Sequence, residues 1–195
     1  KKFVLMLCLI PLFFYLSFHV SAPSFLWHGA EITQSGESKL GEIAVIKVGS
    51  QSSIYANGQL VFSYPDAQDE EMTTHLPMTV HPLPKNILVI GGSPGILKEL
   101  LKYQVDQIDF IELDPRILDF SLGLLNTRED ENAIKDSRIH IMIQDGRRFI
   151  KSAKKQIYDL IILNLPQPST ASINRFYTTE FFREAQKVLK KDGIL

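Results

Sequence analysis

Short apolar runs alternate with helical segments from Lys85 to the end of the chain, and this alternation is the strongest constraint on its fold. The runs predict strands at Asn86–Ile90, Gln107–Ile111, Arg138–Gln144 and Tyr158–Leu163. Strands separated by helices pair in parallel through right-handed crossovers, and runs that are apolar on both faces suit a sheet covered on both sides. The sequence therefore predicts an α/β fold built on a parallel sheet.

The last helix and strand of this region are predicted from the end of the sequence. A helix is expected over Thr178–Lys191, and Gly193 is expected to open a fifth strand. Because the chain stops there, we expect the parallel sheet to be incomplete at its C-terminal end.

A smaller β unit is predicted before the parallel sheet, between Glu31 and Tyr64. Asn57-Gly58 separates two runs of strand formers, and this pair is typical of a two-residue hairpin because both positions need positive φ. A helix is expected from Asp66 to Val80, with acidic residues in its first turns that suit the positive end of the helix dipole.

The N-terminal residues have the composition of a membrane segment. No Asp, Glu, Lys or Arg occurs between Lys2 and Glu31, and Phe3–Val20 is just long enough to cross about 30 Å of hydrocarbon as a helix. A transmembrane helix is therefore expected. A secretory signal cleaved after Val20-Ser21-Ala22 and a buried core helix are the alternatives, although Pro23 argues against cleavage.

Composition and net charge limit the classes of partner that the chain can have. Hydrophobic residues make up 45% of the chain and charged residues 22%, which is typical of globular proteins. The formal net charge of −1 gives no basic excess for nucleic acid. Residues 1–27 are assigned to the membrane helix, 28–84 to the small β domain with its helix, and 85–195 to the ligand-binding domain.

The carboxyl ends of the predicted parallel strands carry the candidate binding residues, because ligands of such sheets lie beyond those ends. The glycine turn Gly91–Gly95 lets a ligand approach the backbone closely. Glu112 stands 21 residues after Gly91, where a carboxylate can accept both hydroxyls of a ribose. The structural alternatives are a simple tight turn at the glycines and helix N-caps at Asp114 and Asp145.

Four segments of the sequence have the order and spacing found in the spermidine and spermine synthases, the polyamine aminopropyltransferases. These segments are Asn86–Gly92, Ile111–Pro115, Gln144–Phe149 and Tyr158–Ile162. The sequence also resembles bacterial membrane-fused members of that family at Asn164–Ala171 and Asn174–Thr178.

The resemblance implies a fold, a reaction and a set of cofactor-binding residues. The implied fold is a small β domain followed by a Rossmann-like domain of the class I methyltransferase type. The implied reaction transfers an aminopropyl group from decarboxylated S-adenosylmethionine to a polyamine, without a metal. By matching position, Glu112 would hold the ribose and Asp145 the adenine. The implied cofactor-binding residues are Gly91, Gly92, Gly95, Glu112, Asp114, Asp145 and Gly146.

The sequence departs from the family pattern where the family keeps its acids. Pro94 replaces the acid of the glycine motif, and Asn164 and Gln167 replace the paired catalytic acids after the fourth strand. An amide can orient an amine but cannot accept its proton, and a general base contributes about 10²–10⁴-fold to rate. By simple register, Asp69-Glu70 replaces a Tyr-Gln pair. Glu70, Glu71 and His75, on the helix expected to face the pocket, are the candidate substitutes.

Three functional hypotheses follow from the sequence. The first is aminopropyl or related alkyl transfer to a small-molecule polyamine, and the second is methyl transfer from ordinary S-adenosylmethionine. The third is a non-catalytic module that binds a nucleoside ligand.

We also expect attachment to the inner or plasma membrane through the N-terminal helix, and a homodimer. The ligand-binding domain is expected in the cytoplasm with its cofactor, although positive-inside counting for a single span after Lys1-Lys2 favours the opposite side.

Overall fold

A computed structural model of the protein describes residues 29–195, which contain two separate β-sheets. The first sheet is antiparallel with the strand order β1-β2-β3-β4. Its strands are β1 (Ala30–Ser38), β2 (Gly41–Val48), β3 (Gln51–Ala56) and β4 (Gln59–Tyr64). The predicted antiparallel β unit is therefore confirmed.

The turn between β3 and β4 has the backbone conformation that its sequence predicts. Asn57 has a φ of 51° and Gly58 a φ of 77°. The Asn57 side chain also reaches across to β2, where its Oδ1 accepts a hydrogen bond from the Glu42 backbone N–H at 3.1 Å. A Cβ on Gly41 would lie 1.9 Å from that Oδ1 atom, so the contact requires glycine at this position.

Helix α1 (Ala67–Val80) joins the two sheets and buries one narrow face. Asp66 caps its N-terminus by accepting a hydrogen bond from the Asp69 backbone N–H. Its buried residues are Glu70, Thr74 and Met78, which are four positions apart and therefore lie on one side of the helix.

The second sheet is parallel and has the strand order β7-β6-β5-β8-β9. Its strands are β5 (Asn86–Ile90), β6 (Gln107–Glu112), β7 (Ile139–Ile143), β8 (Tyr158–Leu163) and β9 (Leu189–Ile194). The four strands predicted as parallel neighbours are confirmed as such. The chain order reverses at β5, which places a ligand crevice at the carboxyl ends of β5 and its neighbours.

Six further helices lie among the residues from Gly95 to Leu189. They are α2 (Ile96–Leu100), α3 (Pro115–Leu124), α4 (Arg128–Ile134), α5 (Gly146–Ser152), α6 (Ala171–Asn174) and α7 (Thr179–Val188). Helix α4 was not expected from the sequence. Its N-terminus is closed by a capping box between Thr127 and Asp130, and that Thr-x-x-Asp spacing was the available signal.

The predicted end of the last helix and start of the last strand are wrong. Helix α7 ends at Val188, and Gly193 lies inside β9 instead of opening it. Leu189 is buried and pairs with Tyr158, and the Lys190 ammonium donates to the Asp159 carboxylate at 2.9 Å. These tertiary contacts extend the strand into residues that had been expected to continue the helix.

Both faces of the parallel sheet are covered, as its apolar runs predict. In the central strand β5, Ile87 and Val89 belong to the core on one face, while Leu88 and Ile90 belong to the core on the other. A third apolar cluster joins the antiparallel sheet to α3 through Ile117 and Phe120.

No helix between Gly29 and Leu195 is long and apolar enough to cross a membrane. The predicted span Phe3–Val20 lies outside the described residues and stays a prediction.

We expect Ile87→Ala to lower the free energy of unfolding by about 2–5 kcal/mol, because it leaves a cavity in the centre of the sheet. Ile87 is fully buried, whereas Ile143 at the end of β7 is 56% exposed. Ile143→Ala is the matched control and should change stability by less than about 1 kcal/mol. Denaturant unfolding measures both, and equal losses for the two variants would contradict this account of the core.

Candidate functional site

A cavity of about 270 Å³ lies between the two sheets at the carboxyl ends of β5 and β6. The antiparallel sheet contributes Ser38, Gly41 and Glu42 to its wall. The parallel sheet contributes the glycine turn and the residues that follow β6, and the chain after β8 covers the remaining side. The cavity therefore lies where the reversal in strand order predicts a ligand site.

The glycine turn after β5 is held against two neighbouring segments. Gly91 has a φ of 73° and Gly92 a φ of 81°, a region that other residues rarely adopt. A Cβ on Gly91 would lie 2.7 Å from a methyl carbon of Leu165, and a Cβ on Gly92 would lie 2.2 Å from the Asn164 amide nitrogen. Glycine is thus required at both positions, and both line the cavity.

Glu112 is a buried carboxylate in the cavity wall, at the last position of β6. Its side chain accepts a hydrogen bond from the Asp114 backbone N–H at 2.9 Å. Burial raises the pKa of Glu112 to about 7, although backbone N–H groups of Asp114 and Leu113 partly offset the effect. This carboxyl is an acceptor whose charged form is poorly compensated by the protein.

Asp114 lines the cavity and also holds the two sheets together. One carboxylate oxygen caps α3 by accepting from the Arg116 backbone N–H at 2.9 Å. The other accepts a hydrogen bond from the Ser38 hydroxyl of β1. The helix-cap alternative for Asp114 is therefore observed, alongside its position in the cavity wall.

Asp145 is occupied by structural contacts next to the cavity. It caps α5 by accepting from the Arg148 backbone N–H at 3.0 Å, and its second oxygen lies 2.6 Å from an Arg175 Nη atom. Burial opposes ionisation, but these donors outweigh it and lower the pKa of Asp145. Arg175 lines the cavity together with Gln144 and Gly146.

Asn164 and Gln167 lie in different environments. The Asn164 backbone N–H donates to the Ile90 carbonyl at 3.0 Å, and its side-chain Nδ2 is buried without a partner among the described residues. Gln167 is exposed, and its backbone carbonyl accepts from the Gln59 side chain at 3.1 Å. The two amides at the family's acid positions therefore do not form a pair.

Of the candidate substitute bases, only Glu70 lies at the glycine turn. A Cβ on Gly95 would be 2.0 Å from the Glu70 Oε1 atom. Glu71 is exposed. His75 was expected to face the pocket, but its ring contacts the Tyr103 hydroxyl at 2.8 Å and the Glu99 carboxylate at 3.1 Å instead.

Two residues of the cavity wall were missed by the sequence analysis. Ser38 ends β1 and carries no local signal for its contact with Asp114. Arg175 lies within a segment used for the family resemblance, but its pairing with Asp145 spans 30 positions and leaves no periodic pattern in the sequence.

The fold and the cavity define a class of protein: a Rossmann-like α/β domain with a small antiparallel sheet over the cavity at the carboxyl ends of its central strands. Residues 67–195 match the family described as "Spermine/spermidine synthase domain". The chain belongs to this family.

Curated relatives and solved structures of the same kind resemble the chain over most of its length. The polyamine aminopropyltransferase of Lachnospira eligens is 39% identical over 165 residues, covering 83% of this chain and 56% of the relative. Polyamine aminopropyltransferase 2 of Aquifex aeolicus is 33% identical over 171 residues, which cover 86% of this chain and 34% of the relative. The chain thus spans little more than half of one relative and about a third of the other.

A solved spermidine synthase in complex with the transition-state analogue AdoDATO matches with a TM-score of 0.73 and 27% identity, covering 83% of this chain and 56% of that one. The spermidine synthase of Thermotoga maritima matches with a TM-score of 0.68 and 26% identity, covering 83% and 54%. Each match covers 83% of this chain, which is more than the parallel sheet and its helices alone. The structural likeness therefore extends to the antiparallel sheet.

We expect the stability of the protein to depend on pH through Glu112. Its raised pKa means that the folded state keeps a proton that the unfolded state releases near pH 4.5. The free energy of unfolding should therefore fall as pH rises from 5 to 8, by up to about 3 kcal/mol relative to Glu112→Gln. Unfolding in denaturant at several pH values measures this, and parallel pH profiles for the two proteins would contradict it.

Proposed function

We propose that this chain is part of an aminopropyltransferase that uses decarboxylated S-adenosylmethionine and a polyamine. The observation that carries the proposal is the buried Glu112 carboxyl in one cavity with the Gly91-Gly92 turn. The named activity of the relatives and the AdoDATO complex of the structural neighbour support it.

The proposed ligand pose follows from the chemistry of the cavity wall. Glu112 would accept the hydroxyl groups of the ribose, because its carboxylate has little other compensation. The positive-φ glycines would let the sulfonium lie close to the backbone. Asp145 would meet the adenine amino group only by sharing its carboxylate with Arg175.

The proposed reaction is a direct displacement at carbon. The nitrogen of a neutral polyamine amine attacks the methylene carbon of the aminopropyl group that is bound to sulfur, and a new C–N bond forms. The C–S bond breaks at the same time, its electron pair remains on sulfur, and 5′-methylthioadenosine leaves. The amine nitrogen gives up one proton, so the rate depends on an acceptor for that proton.

The amides after β8 favour a slow reaction with putrescine. Asn164 can orient an amine through its amide oxygen but cannot take a proton. The same observation favours a second candidate function, a module that binds the adenosyl ligand without turnover. Both functions predict binding of the adenosyl ligand, but only the transferase predicts turnover. An aminopropyl transfer assay therefore separates them.

Membrane attachment is a further part of the proposal and rests on the sequence of Phe3–Val20 alone. The span would hold the ligand-binding domain at the inner or plasma membrane. We place that domain in the cytoplasm, where an adenosyl cofactor is expected.

We expect Glu112→Ala to weaken binding of decarboxylated S-adenosylmethionine by at least about 1.5 kcal/mol, the low end for a hydrogen bond to a charged group. Isothermal titration with the decarboxylated and the ordinary sulfonium measures this. Asp119→Ala is the control, because Asp119 is an exposed acid of the neighbouring helix. Unchanged affinity in Glu112→Ala would remove Glu112 from the binding site.

We expect the combined change Asn164→Asp and Gln167→Asp to increase aminopropyl transfer to putrescine. Asn164→Asp preserves shape and Gln167→Asp shortens its side chain by one methylene group, and both supply negative charge and a proton acceptor. The assay follows spermidine formation by the full-length protein, with Asn126→Asp as a control that adds charge at an exposed site. Rapid transfer by the natural protein would show instead that another group serves as the base.

A further inference from the structure

Charged residues are divided unevenly along the chain. Residues 147–195 contain ten Lys and Arg but four Asp and Glu, whereas residues 29–146 contain nine Lys and Arg and eighteen Asp and Glu. The formal net charge of −1 therefore conceals an anionic part and a cationic part. Such asymmetry is typical of proteins that contact nucleic acid or a membrane, so the position of the cations in the fold matters.

Three lysines meet where α5 and α7 end. The Gln156 backbone N–H donates to the Lys187 carbonyl at 3.1 Å, which places the chain after α5 beside the last turn of α7. Lys154 and Lys155 come directly before Gln156, so they lie next to Lys187. All three lysines are exposed.

Two further cations extend this group. Arg183 is exposed and lies four positions before Lys187, hence on the same side of α7. Lys151 belongs to α5, and its Nζ atom lies 3.4 Å from the Glu184 Oε1 atom of α7. We name the surface formed by these cations the basic surface; its members are Lys151, Lys154, Lys155, Arg183 and Lys187.

The basic surface has little compensating negative charge. The acid beside it, Glu184, is already held by Arg147, whose Nε and Nη2 atoms lie 2.8 Å and 3.2 Å from the two carboxylate oxygens. Apart from Lys151, no cation of the basic surface is ion-paired with an acid between Gly29 and Leu195. These cations therefore repel one another without stabilising the fold through ion pairs, and a polyanion bound to them would relieve that repulsion.

The basic surface lies at the opposite edge of the parallel sheet from the cavity. Lys154 and Lys155 precede β8, and Lys187 precedes β9, so these lysines are at the amino ends of the strands. The cavity is at the carboxyl ends of the central strands, and a strand of six residues is about 20 Å long. A polyanion bound to the basic surface would therefore leave the cavity free.

We propose that the basic surface docks the domain on a membrane that contains anionic phospholipids. Groups of about 4–8 Lys or Arg close to a bilayer are typical of such binding, and the basic surface supplies five. The inference goes beyond the proposed reaction, and it rests on the proposed membrane attachment for the choice of lipid as the polyanion.

The position of the N-terminal segment favours lipid over nucleic acid. Nine residues separate Val20, the end of the expected span, from Ala30 at the start of β1. A connection of that length reaches at most about 36 Å, so a span at Phe3–Val20 would keep the domain close to the bilayer. Phospholipid headgroups are then the phosphate groups at the highest local concentration. Docking would also hold the domain on the cytoplasmic side, whose leaflet carries anionic lipids.

The experiment measures how fast individual lysines of the full chain are acetylated on vesicles. The vesicles contain phosphatidylcholine alone or with about one third phosphatidylglycerol, the reagent does not cross the bilayer, and mass spectrometry locates the acetyl groups. We expect Lys154, Lys155 and Lys187 to react at least about fivefold more slowly on the anionic vesicles, because headgroups cover them. Lys39 and Lys47, exposed lysines at the antiparallel sheet, should change less than about twofold. Salt at about 0.5 M should abolish the protection, since it screens the charges.

A pair of matched variants tests whether the position of the charges matters. Lys154→Glu with Lys155→Glu should remove the protection of Lys151, whose side chain is 56% exposed, because it reverses two charges of the basic surface. Lys39→Glu with Lys47→Glu makes the same change in net charge elsewhere and should keep that protection. For each variant the rate on anionic vesicles is compared with its own rate on neutral vesicles, and thermal unfolding checks that both variants fold.

The outcomes separate docking from the other proposals. Equal rates on neutral and anionic vesicles, or the same protection in both variants, would overturn it. Stronger protection by RNA at the same phosphate concentration than by anionic vesicles would also overturn it, in favour of nucleic acid. Retention of the chain on neutral vesicles tests the span by itself, and aminopropyl transfer enters none of these measurements.

Discussion

The backbone conformation of Gly91 and Gly92 is the constraint on which the rest of the site depends. Both residues have positive φ, and the turn they form is tied to its neighbours on two sides. The Gly91 N–H donates to the Ile111 carbonyl, and the Asn164 N–H donates to the Ile90 carbonyl. Three adjacent strand ends are thereby fixed in one place, which brings Glu112 and the chain after β8 to the same cavity.

Two acids at the ends of neighbouring strands illustrate how local donors decide the use of a carboxylate. Asp145 has a helix N-terminus and Arg175 as partners, so its charge is already compensated. Glu112 has only backbone N–H groups as donors, and they do not offset the cost of burying its charge, so its pKa is raised. The first carboxylate maintains the fold of the site, and the second lines the cavity with its charge poorly compensated.

Local patterns predicted much of this fold, because short stretches of sequence determine where hairpins and buried parallel strands form. The Asn57-Gly58 turn and the four central strands are of this kind. The end of α7 was missed because burial of Leu189 against β8 decides it. The sequence placed Glu70 on the helix expected to face the pocket, but its burial to 2% exposure and its ion pair with Lys98 depend on tertiary packing and could not be predicted.

The two sheets meet across the cavity through few polar contacts. Ser38 donates to Asp114 on one side of it, and Gln59 donates to the Gln167 carbonyl on the other. A molecule filling the cavity would touch both sheets and act as a removable cross-link between them. Its binding would then add to the free energy of unfolding, so the attachment of one sheet to the other would strengthen as the ligand concentration rises.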